Sequence, residues 1–321
     1  MHILVTNDDG PPSAESSPYL LPFIRALEKA GHTVSIIVPH TQRSWIGKAH
    51  LIGQDVQATY YWPPCEIPEA HHAKASAPDD GTQPWILVNT TPAGCAQLGL
   101  SEYFFEARGK IDLVISGPNY GRNTTAVFAL SSGTLGAALE AAVCGYRAIA
   151  LSFAFFDRKN VPEVVAESCQ QAVKVCEWLA GNGEWSEGRL YSVNVPLKEG
   201  VTKAKVNWTK MLQNSWKKGA CFQELPPAAS VDDPVAEEAK LRRQESKEGA
   251  ATDTSTPSSA SGREWRHRHF KWAPRFTDVY DAVQLAGPGS DGWAVKEGET
   301  SVTALVANFM HAEPGSGEIK L

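Results

Sequence analysis

The sequence has no long apolar run, no excess of positive charge and no paired-cysteine motif, and each absence removes a class of protein. No apolar stretch approaches the roughly 20 residues that a membrane-spanning helix needs, so we expect no membrane partner. The formal net charge of -6 argues against a protein that binds nucleic acid by bulk neutralisation of phosphates. The six cysteines form no C-x-x-C pair, which favours reduced, structural thiols.

Sequence signatures of export and of two large enzyme classes are also missing. No secretory leader pattern precedes the first predicted strand, so we expect a cytoplasmic location. There is no G-x-x-x-x-G-K-S/T loop and no G-x-S-x-G elbow, which excludes the usual P-loop NTPases and most α/β hydrolases. What is present is ordinary globular composition, with 42% hydrophobic and 21% charged residues in 321. A small-molecule substrate is therefore the better expectation.

Apolar, β-branched runs alternate along the chain with stretches of helical periodicity. The pattern predicts strands at 2–6, 33–38, 111–115, 148–151, 190–195 and 301–306, and helices at 18–30, 92–100, 133–144 and 162–179. This alternation predicts an α/β protein with a doubly wound, mostly parallel, Rossmann-like sheet. Residues 224–262 are rich in Pro, Ala, Ser, Thr and charge, which predicts a disordered insertion. We expect residues 263–321 to complete a single domain spanning 1–321.

An amide and two adjacent carboxylates follow the first predicted strand directly, as Asn7, Asp8 and Asp9, with Gly10 next. Two neighbouring carboxylates repel each other, and a hard divalent cation is one reason to hold them together at a strand end. Asp and Gly are also the ordinary residues of turns. From these four residues alone, a simple turn and a metal site remain open alternatives.

Two further predicted strands lead to oxygen-bearing side chains. The second strand is followed by residues 41–45, which include Ser44, and the strand at 111–115 is followed by residues 116–123, which include Asn119 and Asn123. Parallel strand ends meet at the crevice where open α/β sheets bind ligands. Carboxylate, hydroxyl and amide oxygens suit Mg²⁺, Mn²⁺ or Ca²⁺, whereas the lack of His or Cys disfavours zinc.

The segment Ser132, Gly133 and Thr134 stands at the start of the helix predicted from 133. Unpaired backbone N–H groups and the helix dipole at such a start favour a bound phosphate. The same residues are also typical of a plain helix N-cap. Their position at the same sheet edge as the candidate metal site favours phosphate binding.

The order of these motifs resembles the SurE (survival protein E) family of metal-dependent phosphatases and nucleotidases, and a eukaryotic or fungal-type member with an insertion in particular. The main matching motifs are 7–10 (Asn-Asp-Asp-Gly), 43–44 (Arg-Ser), 116–123 (Ser-Gly-Pro-Asn-Tyr-Gly-Arg-Asn) and 132–138 (Ser-Gly-Thr-Leu-Gly-Ala-Ala). Segments 88–93, 193–196, 277–278 and 290–303 also resemble family segments. The resemblance covers nearly the whole chain except the insertion.

This resemblance implies a SurE-like fold and hydrolysis of phosphate monoesters, with nucleoside 5'- or 3'-monophosphates as common substrates, by a nucleotidase or acid-phosphatase-like enzyme. It implies one divalent cation, Mg²⁺ or Mn²⁺, and a homodimer through the C-terminal segment. The roles that carry over are metal ligands at Asp8, Asp9, Ser44 and Asn119, catalytic residues at Asp8, Asp9 and Asn7, and phosphate contacts at Asn123, Ser132, Gly133 and Thr134. Nucleophile and ligand both remain open as roles for Asp8.

A second hypothesis comes from residues 263–276, where arginines and a lysine alternate with Trp and Phe. Such a mixture can stack on bases and pair with phosphates, which would suit a nucleotide- or RNA-binding module that also uses the insertion. The same alternation is typical of an edge strand with one charged, solvated face. We favour the edge strand, and with it the enzyme.

Overall fold

A computed structural model of the chain describes residues 1–64, 67, 82–156, 159–217, 221–225, 240–241 and 268–309. Most of the predicted insertion, at 226–239 and 242–262, lies outside the described residues. Its first two residues, Glu224 and Leu225, end a strand that begins at Phe222. The regular structure therefore continues past the predicted boundary at 224.

The strands and helices follow one another in the predicted alternation. The strands are β1 His2–Thr6, β2 Thr33–Pro39, β3 Ala58–Tyr61, β4 Trp85–Val88, β5 Leu113–Tyr120, β6 Ala148–Ala154, β7 Arg189–Pro196, β8 Val206–Trp208, β9 Phe222–Leu225, β10 His269–Trp272 and β11 Thr300–Val306. The α-helices are α1 Leu20–Lys29, α2 Pro92–Leu100, α3 Glu102–Phe105, α4 Ala126–Ser131, α5 Gly133–Val143, α6 Pro162–Asn182, α7 Phe276–Leu285 and α8 Asp291–Lys296, with 3₁₀ turns at Glu106–Arg108 and Val201–Lys203.

Nine strands form one sheet in the order β3-β4-β2-β1-β5-β6-β7-β11-β8. The run from β4 through β2, β1, β5 and β6 to β7 is parallel, whereas β3 and β11 pair antiparallel with β4 and β7. The chain moves outward from β1 in both directions, so β1 and β5 flank the point where the winding reverses. This confirms the predicted doubly wound, mostly parallel sheet, and it places the ends of β1 and β5 where such sheets bind ligands.

Alternate residues of β1 enter two different cores. Ile3 and Val5 pack on one face of the sheet with α1 and α6, and Leu4 packs on the other face with α2 and α5. Because successive side chains of a strand point to opposite faces, a strand covered by helices on both sides must be apolar at nearly every position. This requirement explains why β1 could be recognised from its composition.

One predicted boundary is wrong where it matters for the site. The strand predicted at 111–115 begins at Leu113 and continues to Tyr120, so Asn119 lies inside β5. The pairing of β5 with β6 shifts between Ser116 and Asn119, and the Gly117–Pro118 peptide is cis. A Gly and a Pro in sequence indicated the end of a strand, whereas here they form an irregularity within it.

The C-terminal segment contributes to the main sheet and to a separate hairpin. β11 lies between β7 and β8 in the sheet, and β10 pairs antiparallel with β9. The edge-strand interpretation of residues 263–276 is therefore correct for His269–Trp272. The short elements β3, β8 and α4 were not predicted from the sequence, because each has six residues or fewer and little periodicity.

The described cysteines agree with the expectation of structural thiols. Cys95, Cys144, Cys169, Cys176 and Cys221 are all free, and burial raises the pKa of Cys169 and of Cys176 to about 12. At neutral pH such thiols stay protonated and unreactive. Within the described residues, no helix combines the length and the apolar composition needed to cross a membrane.

Candidate active site

The chain leaves β1 through a turn that the Asn7 side chain holds together. Its amide nitrogen donates to the carbonyl oxygen of Gly10 at 2.8 Å, and its amide oxygen accepts from the N–H of Gly10 at 3.1 Å. Gly10 has φ +81°, and a Cβ there would lie 3.2 Å from the backbone of Thr41. Asn7 is fully buried and is not among the described residues that line the cleft beside this turn. The structure places it where it shapes the turn.

Asp8 is the carboxylate that reaches the cleft. It lines the cavity and is 3% exposed, and its Oδ1 accepts a hydrogen bond from the Thr134 hydroxyl at 2.7 Å. The backbone carbonyl of Asp8 accepts from the N–H of Arg43 at 2.7 Å, which fixes the loop after β2 beside it. Asp8 is therefore held from two sides, by α5 and by the loop that carries Ser44.

Asp9 points elsewhere. Its Oδ2 accepts the backbone N–H of Tyr120 at 2.6 Å, it is 1% exposed, and it is not among the cleft-lining residues that the structure describes. The bond joins the turn after β1 to the last residue of β5. The two adjacent carboxylates thus point in different directions: Asp8 faces the cleft, and Asp9 contacts the backbone of the neighbouring strand β5.

The cleft beside Asp8 brings together residues from every predicted motif. It has a volume of about 50 Å³, which is room for roughly four water molecules. The lining residues are Asp8, Ser44, Trp45, Asn119, Tyr120, Gly121, Arg122, Asn123, Phe128, Ser131, Ser132, Leu241 and Phe276. Of the four predicted metal ligands, Asp8, Ser44 and Asn119 share this cleft.

Asn119 reaches the cleft because of the irregularity in β5. Gly117 has φ +126°, and a Cβ at this position would lie 2.1 Å from the carbonyl oxygen of Leu151, so only glycine fits. Beyond it, the amide nitrogen of Asn119 donates to the carbonyl oxygen of Gly121 at 2.9 Å. That bond leaves the amide oxygen of Asn119 as the atom for an ion.

Helix α5 begins against Asp8. Ser132 caps it by accepting the N–H of Leu135 at 3.1 Å, and a Cβ on Gly133 would lie 2.7 Å from Cβ of Asp8 and 3.0 Å from its Oδ2. The glycine therefore lets the helix start approach the carboxylate closely. The first N–H groups of a helix have no partner within the helix, so the start of α5 presents donors at this edge of the cleft.

Asn123 is held in the wall of the cleft by side chains of β6 and β7. Its backbone N–H donates to Oδ1 of Asn194 at 2.8 Å, and its side-chain amide donates to the Ser152 hydroxyl at 2.9 Å. Two residues later, Thr125 has φ +74°, a conformation that is costly for a β-branched residue. Its N–H donates to Oδ2 of the buried Asp291 at 3.0 Å.

The structural role of Asp291, at the start of α8, was not predicted from the sequence. Its carboxylate also accepts from the N–H groups of Leu212 at 2.9 Å and Gly292 at 2.7 Å. Burial raises the pKa of Asp291 above its usual value, although these backbone donors favour the charged form. The signal available was the Ser290-Asp291 pair, which is typical of a helix N-terminus but does not reveal a partner at Thr125.

The loop after Ser44 is fixed to α5 by Glu140. This glutamate is 3% exposed. Its carboxylate lies 2.5 Å from Nζ of Lys48 and 3.3 Å from Nε2 of His50, and it accepts a hydrogen bond from Nε2 of Gln97 at 2.6 Å. Burial alone would raise the pKa of Glu140, but these hydrogen bonds outweigh it and hold the pKa below its usual value. The loop that carries Ser44 and Trp45 is therefore bound to α5, the helix whose first residue lies beside Asp8.

An aromatic rim surrounds the polar floor of the cleft. Trp45, at φ +60°, lies with its ring centroid 5.7 Å from Phe128, 6.3 Å from Phe276 and 5.6 Å from Trp272. Three of these four aromatic residues line the cleft itself. The rim combines residues from the loop after β2, α4, α7 and β10, so the C-terminal segment contributes to the site.

The donor set of the cleft fits a hard divalent cation. Asp8 supplies a carboxylate, Ser44 a hydroxyl and Asn119 an amide oxygen, which are the oxygen ligands that Mg²⁺ and Mn²⁺ prefer. Among the residues described, no group of three or more His, Cys, Asp or Glu side chains gathers in the geometry of a metal cluster. A zinc-type site is therefore not found in that part of the chain, and the remaining coordination positions of a Mg²⁺-type ion would fall to water and substrate.

The fold and the cleft together define a doubly wound α/β protein with a polar, carboxylate-bearing site at the switch point of its sheet. The family described as "Survival protein SurE" matches residues 3–218 of the chain. This protein therefore belongs to the SurE family. The predicted resemblance is confirmed.

The similarity extends to named proteins of several organisms. The chain is 32% identical over 355 aligned residues to "Probable tubulin--tyrosine ligase PBY1" of Saccharomyces cerevisiae, with 100% of the chain covered but only 43% of that protein's length. It is 31% identical over 234 residues to "5'-nucleotidase SurE" of Prochlorococcus marinus subsp. pastoris, covering 70% and 74% of the two chains. The SurE crystal structure from Aquifex aeolicus has a TM-score of 0.60 at 21% identity, covering 97% and 95%, and shows the shared fold.

Proposed function

We propose that this protein is a divalent-cation-dependent phosphomonoesterase that hydrolyses nucleoside monophosphates. The observation that carries the proposal is the position of Asp8: its carboxylate lies in the same cleft as Ser44 and Asn119 and accepts the Thr134 hydroxyl at 2.7 Å. The relatives named 5'-nucleotidase support the reaction class. The aromatic rim at Trp45 supports a substrate with a planar leaving portion.

Each group at the cleft has a physical role in this proposal. Asp8, Ser44 and Asn119 would hold the cation, which supplies charge neutralisation at the phosphoryl oxygens. Thr134 fixes one carboxylate oxygen of Asp8 and so sets the orientation of this carboxylate in the cleft. Backbone N–H groups at the start of α5 stabilise the charge that develops on the phosphoryl oxygens, and Asn123 lines the same cleft. Asp9 positions the turn through Tyr120 and acts from outside the cleft.

The size of the cleft is consistent with this division of labour. About 50 Å³ holds roughly four water-sized atoms, which matches the oxygen atoms of the reacting phosphate, and the remainder of the substrate lies against the rim. We further propose that residues 1–321 act as one domain, because β11 lies within the main sheet and Phe276 lines the cleft. On this basis the C-terminal segment is needed for activity.

The alternative of an RNA-binding module has less support in the described part of the chain. Arg268 is paired with Glu224 through two nitrogens, at 2.6 and 2.5 Å, and Trp272 packs on Trp45 and Phe222. These side chains are engaged within the protein at the rim. We therefore assign β10 to the substrate site of an enzyme.

The test is phosphate release from an aryl phosphate and from a panel of nucleoside monophosphates. We expect turnover with Mg²⁺ or Mn²⁺, loss of turnover in EDTA and recovery when the cation is restored. The Asp8→Asn variant should be inactive, whereas Asp55→Asn, which makes the same chemical change at an exposed loop position, should keep full activity. Turnover that survives EDTA, or full activity of Asp8→Asn, would refute the proposal.

A further inference from the structure

A second cavity opens at the far edge of the sheet. It has a volume of about 440 Å³ and lies between α6, the 3₁₀ turn Val201–Lys203 and β8. This volume falls within the range of about 300–1,000 Å³ that is typical of small-molecule sites. In the order of the sheet, β8 is five strands from β1, which corresponds to about 24 Å. The cavity is therefore separate from the cleft at Asp8.

Two tryptophans form its walls. Trp178 of α6 is 51% exposed and Trp208 of β8 is 56% exposed, although large aromatic side chains are normally well covered. Their ring centroids are 6.1 Å apart at 62°, and Trp208 rests against Tyr191 at 5.7 Å. The indoles are thus fixed in place with open faces, which is the arrangement that planar rings stack against.

The floor of the cavity carries an amide without a partner. Gln171 lines the cavity and is only 4% exposed, yet within the described residues its side chain makes no hydrogen bond. Neither its nitrogen nor its oxygen is among the fully buried polar atoms that lack a partner, so both reach solvent and are available to a ligand. A ligand with a donor and an acceptor on one edge would satisfy both ends of this amide.

The stripe of α6 that faces the cavity also carries a cation. Gln171, Lys174, Val175 and Trp178 follow the i, i+3, i+4, i+7 spacing of one helix face. Lys174 is exposed and forms no ion pair in the part of the chain that the structure describes. The other polar lining groups are engaged, because Thr202 donates to Glu167 and Asn207 donates to Glu299.

We propose that this cavity is a binding site for a planar heterocycle with an amide-like edge and an anionic group, the chemistry of a purine nucleoside monophosphate. The ring would stack on Trp208 and Trp178, its edge would bond to Gln171, and its phosphate would meet Lys174. The site requires no catalysis, and it does not depend on the activity proposed for the cleft at Asp8.

The experiment uses the full chain labelled with 5-fluorotryptophan and observed by ¹⁹F NMR. The signals of Trp178, Trp208 and Trp45 are assigned by their loss in single Trp→Phe variants. AMP and GMP are titrated into the Asp8→Asn variant, which we expect not to turn them over, with inorganic phosphate and ribose 5-phosphate as controls that lack the base. Trp45 reports binding at the first cleft in the same samples, so the two sites are read separately.

We expect the Trp178 and Trp208 signals to shift with the purine nucleotides and to stay unchanged with the two controls that lack the base. Gln171→Leu and Lys174→Ala should each weaken this binding by about tenfold, since each removes one polar interaction of roughly 1.4 kcal/mol. Tyr103→Ala, which removes an aromatic ring that is 74% exposed elsewhere on the surface, should change nothing. Signals of Trp178 and Trp208 that do not move at millimolar nucleotide, or that move equally in Gln171→Leu, would overturn the proposal whatever Trp45 shows.

Discussion

Replacing Gly133 with alanine tests the close approach of α5 to Asp8. A Cβ at this position would lie 2.7 Å from Cβ of Asp8, 3.0 Å from its Oδ2 and 3.0 Å from Cγ2 of Ile46. Real Cβ atoms essentially never come within 3.0 Å of a heavy atom, so either the carboxylate or the helix start must shift. Gly133 adopts a helical conformation in α5, and alanine would otherwise fit its backbone.

The expected magnitudes follow from two opposing effects. Alanine in place of glycine within a helix stabilises by about 1 kcal/mol, and overpacking a filled site costs about 1–3 kcal/mol. We therefore expect Gly133→Ala to lower the free energy of unfolding by about 0–2 kcal/mol. The effect on catalysis should be larger, because a displacement of about 1 Å in a reacting group can reduce the rate by roughly 100-fold.

The assay combines thermal unfolding with steady-state hydrolysis of an aryl phosphate. The matched control is Gly181→Ala in α6, where an added Cβ meets nothing within 4 Å. The control should be slightly stabilised and fully active. A Gly133→Ala variant with wild-type kcat would refute this reasoning, because a shift of the carboxylate or of the helix start would then have no consequence for the reaction.

Three further changes test other contacts of the site. Thr134→Val removes the 2.7 Å bond to Asp8 and should lower kcat by at least about tenfold while the protein stays folded, as judged by its circular dichroism spectrum. Glu140→Gln should lower the melting temperature at pH 7. Because the pKa of Glu140 in the folded protein lies below its ordinary value of 4.5, the charged carboxylate stabilises the wild type above that pH and ceases to do so as the pH falls through the folded pKa. The difference in melting temperature between variant and wild type should therefore close in acid. Trp45→Ala should raise KM for nucleoside monophosphates by about tenfold and leave KM for glycerol phosphate unchanged, since only the former carry a ring to stack.

The parts of the fold that could be predicted are those buried on both faces or strongly amphipathic. β1 is apolar because helices cover both of its faces, and α1 is apolar along the stripe that packs on the sheet. α2 was predicted at the bounds at which it is observed, Pro92–Leu100. The end of β5 could not be predicted, because Gly117 and Pro118 favour termination locally while tertiary pairing with β6 continues the strand. β8 has only three residues, and its pairing with β11 comes from distant sequence.

For the candidate site, the sequence indicated which residues would take part, but it did not indicate where their side chains would point. It predicted that Asp8, Ser44 and Asn119 would meet, and they line one cleft. It predicted both Asp8 and Asp9 as metal ligands and catalytic residues, with Asp8 as the candidate for direct participation, whereas the structure turns Asp9 onto the N–H of Tyr120. The direction of each carboxylate depends on the turn geometry and on the neighbouring strand, and neither can be derived from two adjacent letters.

The aromatic rim and the contacts of Glu140 and Asp291 that support the site could not be predicted from the sequence either. Trp45, Phe128 and Phe276 are far apart in the chain and meet only because the loop after β2 is bound to α5 through Glu140 and the C-terminal helix packs on α4. Asp291 reaches Thr125 across 166 residues. Such long-range contacts have no periodic signal in the sequence.

The most direct test of the account is the stoichiometry of Mn²⁺ binding, measured by electron paramagnetic resonance on the metal-stripped protein. We expect one bound Mn²⁺ per chain in the wild type and in Asp55→Asn, with binding lost in Asp8→Asn and weakened in Asn119→Ala. Phosphate release should rise in proportion to the bound ion. An Asp8→Asn variant that binds Mn²⁺ as the wild type does would contradict the central claim that Asp8 holds the cation.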